Sequence, residues 1–519
     1  MSRKGIVLYL VVSFICIGIV AARAEEKSPE PVLNLFQDRT VSEKLITKVD
    51  PSSWIQESFK VSSDGRRVAY VAKADVEWFV VVDGKEGKHY DVIGSGTPIF
   101  SPDGRRVAYA AGVGGKQFMV VDGQEEKHYD GIAGNSLAFS PDGKHVAYVA
   151  KESNKQFVVM DGQEGKHYDS IGCPPIFSPD SNRMAYVAGA GFYWFVVVDG
   201  KEEKQYDFIG KGTPIFSSDS KRVAYLAKVD NKWLVVVDGR EEKQYDGIMA
   251  GTLIFSPDSK QVAYAAGVRD KRFVVVDGKE GKQYDVVMAA GSCPLAFSPD
   301  GKRLAYVVEV GGKRFVVVDG KEEKQYDTIG AGTLIFSLDS ERLTYGAIEG
   351  NRQIVVVDGK EEKHYDGIGA GTLIFSPDSK RVAYVAQIGN GRFVVVDGKE
   401  GERYDTIMAG TPIFSPDSRR VAYGAGVGDR RFVVVDGKEE NHYDAVMTGT
   451  PVFSPDSEHV AYGTGTGDKR FVVVDGKEGK QYDNIVTLGG GRIIFDSPDS
   501  FHYLVRKGGD VYLVEERIK

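Results

Sequence analysis

Phe100-Ser101-Pro102-Asp103-Gly104-Arg105-Arg106-Val107-Ala108-Tyr109, followed shortly by Phe118-Met119-Val120-Val121-Asp122-Gly123, decides how this chain folds. The apolar run Thr97-Pro98-Ile99-Phe100 stops at Ser-Pro-Asp-Gly, which puts proline at the second position of a type I turn and glycine where a positive φ is wanted. Val107-Ala108-Tyr109-Ala110-Ala111 reads as a second strand and Phe118 to Val121, after a glycine-rich loop, as a third. Asp122-Gly123 then opens a polar hairpin into a fourth, Lys127-His128-Tyr129-Asp130. Such short runs of Val, Phe and Tyr between turn residues predict strands buried on both faces. No unit carries an apolar stripe at helical spacing.

Working outward, the unit recurs from residue 59 to the end, twelve times. The turn tetrapeptide runs from Ser62-Ser63-Asp64-Gly65 to Ser497-Pro498-Asp499-Ser500. The Asp-Gly after the valine run recurs at steps of 38 or 39 residues, with one step of 42 between Asp277 and Asp319. Burying a large apolar side chain gains ~1.5–3 kcal/mol while ordering a residue's backbone costs ~1–2 kcal/mol, so one such sheet with two apolar faces cannot stand alone. Copies must stack. Four antiparallel strands per period of about forty residues predict the blades of an all-β propeller.

The pattern Phe-Ser-Pro-Asp-Gly-Lys/Arg-x-Val-Ala-Tyr, followed by a third strand ending in Val-Asp, resembles the Trp-Asp-repeat-like blades of bacterial TolB-type propellers. Similar blades form the gating propellers of some prolyl-oligopeptidase-type peptidases. The resemblance covers about nine tenths of the chain. It implies an innermost first strand, with the fourth-to-first and second-to-third loops on one face, and an envelope scaffold working with partner proteins. TolB-type proteins carry a further N-terminal α/β domain, whereas only residues 25–58 precede the first blade here.

Twelve blades exceed the usual four to eight per ring. Two six-bladed propellers, 59–288 and 289–519, are the favoured expectation, because the three extra residues of the long step fall in Met288 to Pro294. One closed ring of twelve is the alternative. The last unit ends after its third strand, Val511 to Val514, and Lys48-Val49-Asp50 precedes Phe59 at the offset that His89-Tyr90-Asp91 precedes Phe100. The N-terminal segment 25–58 is therefore predicted to supply a clasp strand near 44–50 that hides a sheet edge.

Composition narrows the function classes. The 66 Lys and Arg against 74 Asp and Glu leave a net charge of −8, of interspersed sign, which argues against nucleic acid as a partner. Residues 1–24 read as a secretory signal, with Arg3 and Lys4, the apolar Gly5 to Val20 and a cleavage site at Ala22-Arg23-Ala24. This predicts a periplasmic or secreted chain without membrane insertion of its mature part, the alternative being an uncleaved anchor. Only Cys173 and Cys293 then remain, too few for a disulfide scaffold.

Candidate chemistry is sparse. His89, His128, His167, His364 and His442 share one slot before Tyr-Asp, but equivalent outer-strand positions radiate apart, so no metal site is predicted. The repeated aspartates read as turn and strand-end residues, and no nucleophile elbow, phosphate loop or dinucleotide fingerprint occurs. Neither a catalytic residue nor a cofactor is assigned. Trp78, Trp194 and Trp233 fall where the variable second-to-third loop enters the third strand, with Phe192 and Tyr193 in the loop beside Trp194. These five are the candidate binding residues, since large aromatics anchor protein interfaces; the alternative is tryptophan filling an inter-blade gap where other units use Gln or Arg. The expected function is a non-enzymatic scaffold that binds a protein or envelope component through one face. The alternatives are a lyase or glycoside hydrolase with its site in the central funnel, and a multivalent array.

Overall fold

The computed structural model describes residues 32–35 (as backbone), 38–288, 295–330 and 332–519. The signal segment 1–24, Cys293 and the connector 289–294 lie outside the described residues.

Blade 2 shows the unit. Two innermost pieces, Val92–Ile93 and Ile99–Phe100, pair side by side with the second strand, Val107–Val113. The third strand, Lys116–Val121, pairs antiparallel with the second, and Gln124–Glu125 with a bridge at Tyr129 forms the outer edge. The inner strand is thus divided, where the sequence suggested one run from Thr97 to Phe100: the turn at Gly94 to Thr97, closed by the Thr97 hydroxyl donating to the Gly94 carbonyl (2.6 Å), breaks it. Blades 2 to 11 share this order.

Turn chemistry holds each unit in register. Asp122 (φ 51°) and Gly123 (φ 79°) both take the left-handed conformation of a type I′ hairpin turn. The Asp122 carboxylate accepts the Val107 N–H (3.0 Å) and the Arg106 Nε–H (2.8 Å). In the tetrapeptide, the Ser101 hydroxyl donates to Asp103 (2.5 Å) and accepts the Arg106 N–H (2.9 Å).

The blades form one ring. Second and third strands of each neighbouring pair share a buried apolar cluster, and the clusters run without a break from the pair 1/2 through 11/12 to 12/1. The favoured two six-bladed propellers are therefore replaced by a single twelve-bladed ring. The reason is physical: Ala263 and Val274 of blade 6 pack on Val308, Phe315 and Val317 of blade 7 as at any other seam. Val287 and Leu295, at the ends of the long connector, are buried in that same cluster, so the extra length does not part the blades.

Blade 12 is built from both ends of the chain. Its third strand, Asp510–Ile518, pairs with Arg39–Thr47, and Val32–Leu35 adds a further strand outside. Its inner face meets blade 1, with Val486, Leu504 and Leu513 against Phe59, Val68 and Val81.

Candidate binding face

The second-to-third turns and the fourth-to-first junctions lie on one face of the ring, because Val92 pairs opposite Gly112 near the end of the second strand. The Ser-Pro-Asp-Gly and Asp-Gly turns lie on the other. The two faces differ chemically. Val76, Val113, Phe192, Val268, Val310 and Val427 are exposed at second-to-third turns, and Val92 and Phe208 at fourth-to-first junctions, all on the first face. Leu338, in the turn Ser337-Leu338-Asp339-Ser340, is exposed on the other.

The aromatic residues singled out in the sequence occupy two distinct settings. Phe192 is 93% exposed and Tyr193 49%, at the tip of the blade 4 loop. Trp78, Trp194 and Trp233 are half-buried against inter-blade clusters and bridge to Tyr90, Tyr206 and Tyr245. Gln117, Gln156, Arg272 and Arg314 hold this slot in other blades. There Gln117 accepts the Ile132 N–H of the next blade (2.7 Å), whereas the Trp194 ring lies over Gly172, where a Cβ would strike it at 2.8 Å, and over Gly189, where one would be tight at 3.1 Å. Blades 4 and 5 are neighbours, so Phe192, Tyr193, Trp194 and Trp233 share one sector; Trp78 stands apart in blade 1. The sequence reading passed over Phe208, 41% exposed and edge-on to Trp233 at 6.0 Å. Its signal was an aromatic at a position that is Gly, Ala, Ser, Thr, Val or Asn in the other units. Lys73 over Trp78 (4.8 Å) and Lys228 over Trp233 (5.9 Å) add cations to these rings.

Toward the axis on the same face, a cavity of about 570 Å³ opens between blades 2 and 3. Its walls are Gly94, Ser95, Thr97, Asn135, Ser136 and Gln117 with apolar neighbours, and contain no acid, base or thiol.

The repeated acids are structural ties. Asp130 accepts the Lys116 ammonium of its own blade (2.7 Å) and the Ser153 N–H of the next (2.8 Å), and these two contacts, the lysine first, hold its carboxyl below the usual range. Asp169 repeats the pattern with Lys155 and Gly191. Four of the five histidines of the shared slot lie flat on the third-strand phenylalanine, His128 at 4.0 Å from Phe118 and His167 at 3.9 Å from Phe157 among them, while His364 pairs opposite Ile354. Among the described residues no group of three or more His, Cys, Asp or Glu is placed to hold a metal ion, and Cys173 is unpaired. Nor is any described helix long and apolar enough to cross a membrane.

The architecture defines a β-propeller. No family model and no curated protein matches the chain. Solved structures similar to it include the Dos1 propeller (13% identity, TM-score 0.29, 65% of this chain and 91% of that one). TolB from Acinetobacter baumannii is similar at 14% identity and TM-score 0.21, over 52% of this chain and 80% of TolB. The GH74 enzyme of Niastella koreensis is similar at 11% identity and TM-score 0.26, over 93% and 89%. Likenesses this weak carry no argument about function, and the propeller assignment stands on the blades themselves.

Proposed function

We propose that this chain is a non-enzymatic scaffold, a TolB-type, Trp-Asp-repeat-like propeller exported to the periplasm or beyond, which binds a protein or envelope component through its loop face. The observation that carries this reading is the concentration of exposed apolar side chains on that face, with Phe192, Tyr193 and Phe208 on adjoining blades as its aromatic centre. Exposed aromatics set in a scaffold of packed blades suit a protein interface, where a few large side chains contribute most of the affinity. The engagement of the repeated carboxylates in inter-blade contacts favours binding over acid–base chemistry, since a catalytic acid needs an environment distinct from its siblings.

A photo-crosslinking residue at position 192, used in the native envelope fraction, tests the proposal. One predominant adduct is expected, lost when Tyr193 and Phe208 are both changed to Ala. Adducts indifferent to those changes, or reproducible turnover of a polysaccharide by the pure protein, would overturn it.

A further inference from the structure

On the opposite face, two grooves are the same site built twice. One of about 590 Å³ lies between blades 1 and 2, the other, about 460 Å³, between blades 9 and 10. Gly87, Arg105, Arg106, Tyr109 and Asp122 of the first correspond at a constant offset of 314 residues to Gly401, Arg419, Arg420, Tyr423 and Asp436 of the second.

The rest of the ring shows what such a groove accepts. In five of the six hairpins that carry glutamate in place of that glycine, the side chain enters the equivalent groove and receives the tyrosine hydroxyl of the next blade; at Glu440 the Tyr462 hydroxyl is left without a partner among the described residues. Tyr148 donates to Glu126, Tyr225 to Glu203, Tyr264 to Glu242, Tyr345 to Glu323 and Tyr384 to Glu362, each at 2.6 Å. Between blades 10 and 11 Glu440 lies in the groove and leaves about 120 Å³. With Gly87 and Gly401 the walls persist and the carboxylate is missing: Tyr109 has the Tyr90 hydroxyl beside it but no hairpin glutamate.

The charge fits the missing group. Arg106 and Arg420 are paired with Asp122 (2.8 Å) and Asp436 (3.0 Å), and the lining acids Glu86 and Glu400 are held by His89 (2.7 Å) and Lys363 (2.6 Å). Lys85 and Lys399, also in the walls, make no ion pair among the described residues, while the exposed Arg105 and Arg419 make long ion pairs with Asp103 (3.8 Å) and Asp417 (3.7 Å). The uncompensated charge is positive on a chain that is acidic overall.

The geometry points to these two grooves as receptor sites for glutamate side chains of an acidic peptide segment on a partner, each inserted glutamate taking the place that the chain's own glutamate holds in other blades. The sites lie on the face opposite the aromatic sector, and the inference does not depend on the scaffold reading above.

Calorimetry of the whole protein with a hexaglutamate peptide at low salt tests it. Saturable binding is expected, and a hexalysine peptide should give none. The variant Gly87→Glu/Gly165→Glu/Gly281→Glu/Gly401→Glu, which also fills the like-placed Gly165 and Gly281 slots beside Tyr186 and Tyr306, introduces only a residue that sibling blades already hold; it should weaken binding at least about tenfold. Glu203→Gly, which opens the same slot beside Arg222, should add a site. Should the quadruple variant fail to fold, Tyr109→Phe/Tyr423→Phe removes the donors with little change of shape and must also weaken binding. Absence of binding to the wild-type protein, or equal binding by the filled or donor-less variants, would overturn the inference.

Discussion

The seam between blades 2 and 3 and the seam between blades 11 and 12 do the same job with different materials. At the first, Ala108, Met119 and Val121 meet Tyr148, Ala150 and Phe157, and the polar contacts around them recur at sibling seams. At the second, where the chain's ends meet, a buried arginine enters. Arg39 lies 3.3 Å from Glu516 with both side chains shielded from solvent, and donates to the Lys477 carbonyl (2.8 Å). Tyr503 donates to the other oxygen of Glu516 (2.5 Å), and Glu43, four residues along the clasp strand from Arg39, accepts from Tyr482 (2.8 Å) and Lys480 (2.6 Å). Burial raises the Glu516 carboxyl despite Arg39; burial also acts on Glu43, but Lys480 and Tyr482 outweigh it and lower that group. A seam between successive copies can be apolar and generic, because chain continuity already specifies the neighbour. The clasp strand Arg39–Thr47, drawn from the far end of the chain, must find its place on Asp510–Ile518 of blade 12, and the buried Arg39–Glu516 pair between those two strands supplies that choice.

Deleting the chain through Thr47 should have the largest effect, since it exposes the edge of Asp510–Ile518 and strips Glu516 of its counterion. Loss of the monomer peak in gel filtration is expected, and an unchanged monomer would mean the clasp is dispensable. Arg39→Met, which leaves Glu516 buried and unpaired, should cost about 3–5 kcal/mol in denaturant unfolding, most of it recovered in Arg39→Met/Glu516→Leu. The sign of its pH dependence follows from the raised carboxyl. A folded-state value above the unfolded one stabilises at low pH and loses that contribution as pH rises through the folded value, so the deficit of Arg39→Met should shrink between pH 7 and about pH 5. Phe315→Ala at seam 6/7 and Phe157→Ala at seam 2/3 should each cost about 3–5 kcal/mol; a marked inequality would show that seam 6/7 is not an ordinary one.

Acid should act on the ordinary seams in the opposite sense. The carboxyls of Asp130, Asp169 and Asp327 are lowered, by a lysine first and by the next blade's N–H second. Their contribution is complete above the unfolded value of about 3.9 and is lost as pH falls through the folded values. Asp130→Asn/Asp169→Asn should therefore flatten the acid limb of the melting-temperature profile. Smallest is Ser379→Gly. Ser379 takes φ 65°, which strains it, while its hydroxyl accepts the Asp339 N–H of the preceding blade (3.0 Å). Relief and loss should cancel to within about 0.5 kcal/mol.

The blade was legible because turn residues and apolar runs repeat with a fixed period, and burial on both faces forces stacking. Ring size was not. Curvature comes from the small rotation between packed sheets, and no residue encodes it locally, so the long step at Met288 looked like a link between rings when Val287 and Leu295 in fact share one cluster. For the binding residues, the exchange of Trp78, Trp194 and Trp233 with Gln and Arg was visible in the sequence, but the side of the sheet on which each ring lies was not. The alternation of Gly87 and Gly401 with Glu126 and Glu203 was equally visible; its meaning appears only once Tyr109 and Tyr148 are seen facing those positions from the neighbouring blade.

Because sibling seams join corresponding residues, excising one interior period would bring together two surfaces that already match. Gene-level gain or loss of a whole unit thus needs no newly evolved interface, only a slight change in the bend at every joint, and the diameter of the ring is open to variation in single-copy increments while the terminal latch stays as it is.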